Sequence, residues 1–387
     1  MQKTVDERSG LHPATQACLI EESYEENFGC REGKKVESRG TEGKYDYFIG
    51  IDISKEKLDY AVFYHDQFLF HRQTKNQVQE IVGFMADLGK LKGFALNRSV
   101  FCMEDTGFYG NRLLNVLANT PALISVEHAP RIKKSSGLVR GKDDKSDAIR
   151  IAEFAYKNRK DLREWVPRRP VMLVLKNLST VRSRLVNVTK MLKTSIQEQK
   201  GFVDKNISYQ SHEICIRSLN AIKTDLRQID VKIKRLLKSD KRLARLDLLI
   251  NSVPGMGPVT TTEMIIWTNE FINFTDPKKF ACYVGVAPFK QESGKKIAPA
   301  KVSKMADRRL KSLLYFSAMT VATHDEEFRS YMKRRTEIDG KHKMAVYNAI
   351  KNKLILRIFA CVKHDRLYQK SYNYANVSET TVSGVDV

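Results

Sequence analysis

The sequence predicts a mixed α/β domain, then a helical hairpin, then a mostly helical C-terminal region. Three observations predict it. Three β-rich runs are followed by alternating helical and β-rich segments. Two tracts carry apolar residues spaced by threes and fours. Later stretches show helix-period apolar faces.

The first β-rich run, Tyr47 to Ile53, reads as a buried strand; Leu58 to Tyr64 and Gln67 to Gln73 follow through short connections. A helix is expected over roughly 76–91, a strand over 99–104 ("SVFCME"), a helix near 109–117 and a strand over 122–127 ("ALISVE"). The helix containing Asp144 and Asp147 closes the unit. Three strands and then alternation describe a mixed sheet with helices on its faces.

From Val171 the pattern changes. Val171, Val174, Leu178, Val181, Leu185, Val188 and Leu192 alternate steps of three and four, as do Cys215, Leu219, Ile222, Leu226, Ile229, Ile233 and Leu236. These are a and d positions of two heptad helices, and "QKGFVDKNISYQ" between them can turn the chain back. Heptads specify a partner helix but not whose helix it is. A hairpin packed within its own chain and a coiled coil joining subunits both satisfy them. The resulting division is a polar leader (1–44), an α/β domain (45–160), coiled-coil helices (161–245), a C-terminal domain (246–370) and a loose polar tail (371–387).

Composition narrows the function. With 387 residues, of which 42% are hydrophobic and 29% charged, the chain is long enough for two or three domains with a sizeable core. No run reaches the roughly eighteen consecutive apolar residues of a membrane span, and the start, "MQKTVDERSG", lacks the pattern of a secretory signal. The formal net charge of +22 favours a polyanion, and without a span nucleic acid is favoured over a membrane surface. The six cysteines are scattered without a CxxC pair, which suggests neither a zinc site nor a disulfide framework and fits a reducing cytoplasm.

The chemistry-bearing residues begin with "RGKDDKSDAIRIAEFA", residues 140–155. Asp144 and Asp147 lie three apart, so on a helix they share a face. The plain reading is that Asp143, Asp144 and Asp147 are capping and first-turn acids that favour the helix dipole. Two other carboxylates point elsewhere. Asp52 ends the first strand and Glu104 ends "FCME". If those strands are neighbours, both acids stand at the sheet edge where ligands gather in open α/β folds, and a following helix would bring Asp144 and Asp147 over them. Four carboxylates without cations raise one another's pKa values. With Mg²⁺, or Mn²⁺ in its place, they become ligands, and two such ions about 4 Å apart clamp both oxygens of a phosphodiester displacement. The plain alternatives are a strand-end turn for Asp52 and a helix N-cap region for Glu104. An actin-like sugar kinase also opens with a GxD strand, but "GIDISKEKLD" has no glycine after Asp52 to bring backbone amides to a phosphate.

A second stretch is "APFKQESGKKIAPAKVSKMADRRLK", residues 287–311. Ser293 precedes Gly294, Lys295 and Lys296 in an expected loop; the lysines would hold a phosphate and stabilise charge on an attacked phosphorus. Lys304, Arg308 and Lys311 fall at i, i+4 and i+7, giving one basic helix face suited to a nucleic-acid backbone, with Leu310, Leu313 and Leu314 towards the core. In "VPGMG", Gly255 and Gly257 would let backbone amides approach a phosphate as in helix-hairpin-helix DNA binders, or they form an ordinary turn.

Together these pieces resemble the insertion-sequence-110 transposases and their relative, the pilin-inversion recombinase, from about residue 45 to 368. "IGIDISKEKLDYAVF", "FCMEDTGFYGNRLL" and "GKDDKSDAIRIAEFA" are similar to the family's acid motifs, which gives Asp52, Glu104, Asp144 and Asp147. "VPGMGPVTTTEMI", "FACYVGVAPFKQESGKKI" and "VSKMADRRLKSLLYFSA" are similar to its C-terminal transposase domain, whose serine would be Ser293. The resemblance implies a ribonuclease-H-like (RuvC-like) metal domain, a coiled-coil segment and a small serine-bearing domain. It further implies site-specific DNA recombination through a phosphoserine link, with Mg²⁺ on the acid tetrad. Guidance by a structured non-coding RNA, assembly of a dimer or tetramer around two DNA duplexes, and a bacterial cytoplasmic, nucleoid-associated setting follow from it too. Residues 1–44 precede the family's usual start, as an extension or a misassigned start codon, and "KKIAPAK" lacks a glycine expected after the serine. A metal-dependent junction nuclease needing the acids but not Ser293, and a non-catalytic nucleic-acid-binding coiled-coil protein, are the alternative expectations.

Overall fold

The computed structural model describes residues 44–135, 143–199, 201–293, 296–302 and 306–370. Among them, residues within 1–125 and 138–163 form one compact unit, and those within 126–137 and 164–387 form a second.

The first unit is built on a five-stranded sheet. Its strands are β1 (Tyr47–Ile53), β2 (Lys57–Tyr64), β3 (Gln67–Lys75), β4 (Ser99–Glu104) and β5 (Leu123–Glu127), in the order β3-β2-β1-β4-β5. β1 pairs antiparallel with β2 and parallel with β4, and β2 pairs antiparallel with β3 through a register shift at Val62/Phe63. The sheet is therefore mixed, as its alternation predicts. β1, central and almost wholly buried, carries the continuous apolar run that burial on both faces demands. β3, at the edge, is mostly polar and exposed.

Helices cover both faces, and the two-residue period of a strand decides which side chain meets which helix. Helix α1 (Val78–Leu88) buries Ile81, Phe84 and Leu88, and Phe84 stacks on Tyr60 of β2 at 3.9 Å between ring centroids. Helix α2 (Asn111–Leu117) follows β4 and buries Leu113 and Leu117. Helix α4 (Asp144–Lys157), numbered after the short α3 (Ala129–Ser135) of the second unit, lies against β1 on the Phe48–Gly50–Asp52 side. Tyr156 meets Phe48 edge to face at 5.2 Å. At Gly50 a Cβ would stand 2.2 Å from the carbonyl oxygen of Ala148 and from the amide nitrogen of Ala152. Helix backbone thus rests directly on strand backbone, which only glycine below and alanines four apart above permit.

The second unit is helical apart from one hairpin. α5 (Pro170–Glu198) and α6 (Lys205–Ser239) are the heptad helices, and they pack as an antiparallel pair in which Arg182 Nε donates to Asp230 at 2.6 Å. The turn is shorter than expected, because Asp204 caps α6 by accepting the Asn206 amide at 2.8 Å. Near its base the hairpin joins the core through Met172, Leu175, Ile233 and Leu237. Farther along, the a/d residues are half-exposed, with Val188 at 42%.

Helices α7 (Lys241–Asn251), α8 (Pro258–Thr268), α9 (Pro277–Tyr283), α10 (Arg308–His324), α11 (Glu326–Lys333) and α12 (Lys343–Lys363) enclose the remaining core. Two charged clusters pin the elements together. Arg169 donates to Asp240 at 2.7 and 3.1 Å and to Glu270 at 2.6 and 2.9 Å, tying the start of α5 to the end of α6. Buried Glu263 on α8 accepts from Arg309 at 2.6 Å, from Trp267 at 3.1 Å and from the Ser179 hydroxyl. The buried carboxylates, Glu263 and Glu270, are both paired, as buried charge requires.

Strands β6 (Pro288–Ser293) and β7 (Lys296–Val302) form an antiparallel hairpin where the sequence reads as a loop. A six-residue strand of mostly polar residues (PFKQES) and a seven-residue one broken by proline (KIAPAKV) offer little β signal.

Candidate functional site

The four acids of the first unit come from three elements. Asp52 is the penultimate residue of β1 and half-buried, and Glu104 is the last residue of β4. Because β1 and β4 are parallel neighbours with Ile51 opposite Met103, both acids stand at the same carboxyl edge of the sheet. Glu104 belongs to the strand rather than to a helix cap: the residue before α2 is Gly110, which makes no side-chain cap.

Gly50 explains how the other two acids arrive. The helix it admits runs so that its first turn overlies the end of β1. Within that turn the aspartates divide their roles. Asp143 is the N-cap; it accepts the Ser146 amide at 2.9 Å and the Ser146 hydroxyl at 2.6 Å. Asp144 and Asp147 lie inside the helix and face Asp52 electrostatically. Burial pushes the Asp52 carboxyl up to about 6 from 3.8, and the charges of Asp144, Asp147, Glu104 and Asp59 add to the shift.

Among the described residues, no three His, Cys, Asp or Glu side chains are arranged to hold one ion together. The two helix acids instead meet cations of the chain: Lys57 Nζ lies 2.6 Å from Asp144, and Arg150 donates to Asp147 at 2.6 Å. The donor set nevertheless suits a hard divalent ion. It offers carboxylate oxygens only, and the raised Asp52 carboxyl marks a place where positive charge is favoured.

The second unit holds the other candidate residues. Ser293 ends β6, paired across the hairpin with Lys296, rather than sitting in an open loop. Lys295 and Lys304 lie outside the described residues. α10 starts at Arg308, capped by Asp307, whose carboxylate accepts the Leu310 amide at 2.6 Å. Of the expected basic helix face, the described residues are exposed Arg308 and half-buried Lys311, while Leu310 and Leu314 point into the core as expected. Lys311 faces α12, where burial together with its charge lowers the Lys351 amine to about 8.

The glycines of "VPGMG" also separate. Gly255 has φ +78° and a Cβ there would stand 2.5 Å from Val321 Cγ1 and 2.8 Å from the Ser317 carbonyl. Its lack of a side chain serves close packing against α10. Gly257 precedes α8 with open space around its Cα, yet Thr260, Thr261 and Thr262 in the helix's first turns are buried.

Comparison with known proteins fits this arrangement. Residues 49–199 match the IS110 DEDD family model, described as a transposase, and residues 247–333 match that of the transposase IS116/IS110/IS902 family. The chain belongs to the IS110 family of transposases. It is 26% identical over 336 residues to the pilin gene-inverting protein of Moraxella bovis, covering 84% of this chain and 98% of that protein. It is likewise 26% identical to the Moraxella lacunata pilin gene-inverting protein over the same shares. It is 22% identical over 209 residues to an uncharacterized 44.8 kDa protein of insertion element IS116 from Streptomyces clavuligerus, covering 54% of this chain and 49% of that one.

Three residues of the acid site escape sequence reasoning. Gly50 sits in the first family motif and has a usable signal, since Ala148 and Ala152 present small residues four apart on the helix that meets it. Asp59 and Lys57 have a weaker one, an Asp two residues after a Lys at a strand start. Only the register, which sets Asp59 opposite Asp52, reveals them.

Proposed function

We propose that this IS110-family transposase is a site-specific DNA recombinase of a mobile element, with an acid site for Mg²⁺ or Mn²⁺ and Ser293 as nucleophile. The observation that carries this reading is the gathering of charge at one sheet edge, where β1, β2, β4 and α4 bring together five acids, four of which act on Asp52. The match to the transposase models supports a reaction on DNA, and so do the relatives named as pilin gene-inverting proteins.

Bound at Asp52, Glu104, Asp144 and Asp147, divalent ions would supply charge neutralisation for a phosphodiester. The rest falls to the chain. Ser293 Oγ forms a bond to phosphorus as the bond to a deoxyribose oxygen breaks; the serine proton passes to a base or water, and the departing oxygen gains one. Attack by another deoxyribose hydroxyl reverses the exchange, rejoins DNA and restores the serine. The P–O bond energy is kept in the ester, so no external energy source is needed. Lys295 and Lys296 flank the serine to hold the phosphate, and Lys304, Arg308 and Lys311 contact the backbone. Guidance by a structured RNA, and a dimer or tetramer joined through the half-exposed heptad seam of α5 and α6, complete the proposal; the net charge of +22 suits two polyanions at once.

The test incubates the full chain with element DNA, RNA transcribed from the element's ends, and Mg²⁺, and looks for protein covalently attached to DNA. The wild type is expected to form an adduct, and Ser293→Ala to lose both adduct and recombination. Recombination by Ser293→Ala would eliminate the serine step. Cleavage without an adduct would make the chain a junction nuclease, and binding without cleavage a non-catalytic binder.

A further inference from the structure

Five carboxylates crowd one edge of the sheet in the first unit, and the cations among them are specific. Asp59 stands directly opposite Asp52 in the β1–β2 register, so the two side chains share a face. It is 2% exposed. Two residues of the neighbouring strand fix it: His71 Nε2 lies 2.9 Å from its Oδ1, and Gln73 Nε2 donates to its two oxygens at 3.0 and 3.3 Å. Lys57, two residues earlier on the same face of β2, lies between this buried acid and helix α4. Its Nζ is 2.6 Å from Asp144 Oδ2 and 3.4 Å from Asp59 Oδ2.

We propose that Lys57, steered by Asp59, is the resident counter-cation of the acid cluster: it holds Asp144 in the metal-free protein and yields Asp144 to a divalent ion by moving onto Asp59. This rests on the metal reading of the acids given above. A carboxylate oxygen bonded to an ammonium at 2.6 Å has that lone pair engaged, and an ammonium and a divalent ion repel at such range. Ligation through Asp144 Oδ2 and pairing with Lys57 are therefore alternatives. The flexible four-carbon stem of lysine allows the exchange. Asp59 supplies the second station, already oriented by His71 and Gln73 and too buried to be a ligand open to solvent. Lys57 and Asp59 are positioning residues: they act on the site through Asp144. In the metal-free state the same pairing keeps the first turn of α4 over β1 against the mutual repulsion of its acids.

The experiment is calorimetric titration of Mn²⁺ into the full chain, with thermal unfolding of each metal-free protein alongside. Lys57→Gln is expected to bind Mn²⁺ about tenfold tighter than the wild type, the lower end of the effect that residues behind metal ligands exert, and to melt at a lower temperature without metal. Lys57→Arg, which keeps the charge, should restore wild-type affinity. Asp59→Asn removes the second station and should weaken binding while Asp144 and Lys57 stay paired. A purely structural lysine would lose stability and affinity together, so unchanged or weaker binding by Lys57→Gln overturns the proposal. Should that variant not fold, unchanged or tighter binding by Asp59→Asn does so. Absence of Mn²⁺ binding by the wild type, or wild-type binding by Asp52→Asn, would instead remove the metal reading and this proposal with it.

Discussion

Asp52 concentrates the electrostatics of the acid site in one titration. Its carboxyl is raised from 3.8 to about 6, first by burial and then by Asp144, Asp147, Glu104 and Asp59. Below about 4 it is protonated whether the chain is folded or not. Between about 4 and 6 the folded protein keeps a proton that the unfolded chain releases. Stability from this group is thus full at acid pH and lost as pH rises through about 6. Metal-free wild type should therefore fall behind Asp52→Asn in melting temperature as pH goes from 4 to 7, a comparison in which other titrating groups cancel. Equal temperatures across that range would mean that neither burial nor the neighbouring acids raise the Asp52 carboxyl. On the proposed metal reading, protons and divalent ions would compete for the same oxygens, so Mn²⁺ affinity should decline below about pH 6.

At the scale of elements, the contact between β1 and α4 decides whether a site exists. A methyl on Gly50 would overlap the Ala148 oxygen and the Ala152 nitrogen at 2.2 Å, and both are backbone atoms that no rotamer change can move. Gly50→Ala should cost about 3 kcal/mol or more in chemical denaturation, at the upper end of overpacked sites. It should also displace Asp144 and Asp147 from Asp52 and abolish divalent binding. A variant with wild-type stability and binding would show that α4 does not rest on that glycine. Asp143 and Ser146 set the start of this helix, so the cap and the two inner acids are parts of one short segment with separate tasks.

For the whole molecule, charge is the dominant property. The excess of +22 predicts that affinity for DNA or RNA falls linearly on a log–log plot against salt, by about 0.9 for each B-DNA phosphate neutralised. Fluorescence anisotropy from low to moderate salt measures the slope, and a flat response would remove the polyanion reading. No helix among the described residues is long and apolar enough to cross a membrane.

Local pattern was enough for the strands of the first unit and the two heptad helices. Each depends on the period of its own residues, and β1 even reports its burial through an unbroken apolar run. Short polar strands such as β6 and β7 escaped, because pairing rather than composition makes them strands. The start of α10 at Arg308 is set by the Asp307 cap and not by the apolar period, which continues upstream of it. Adjacency was decided only by the tertiary structure. That β4 lies beside β1, that Asp59 faces Asp52, that Gly50 admits α4 and that Lys57 reaches Asp144 are all consequences of strand order and register. Residues far apart in the chain carry no periodic trace of meeting; their proximity is set by which surfaces bury one another.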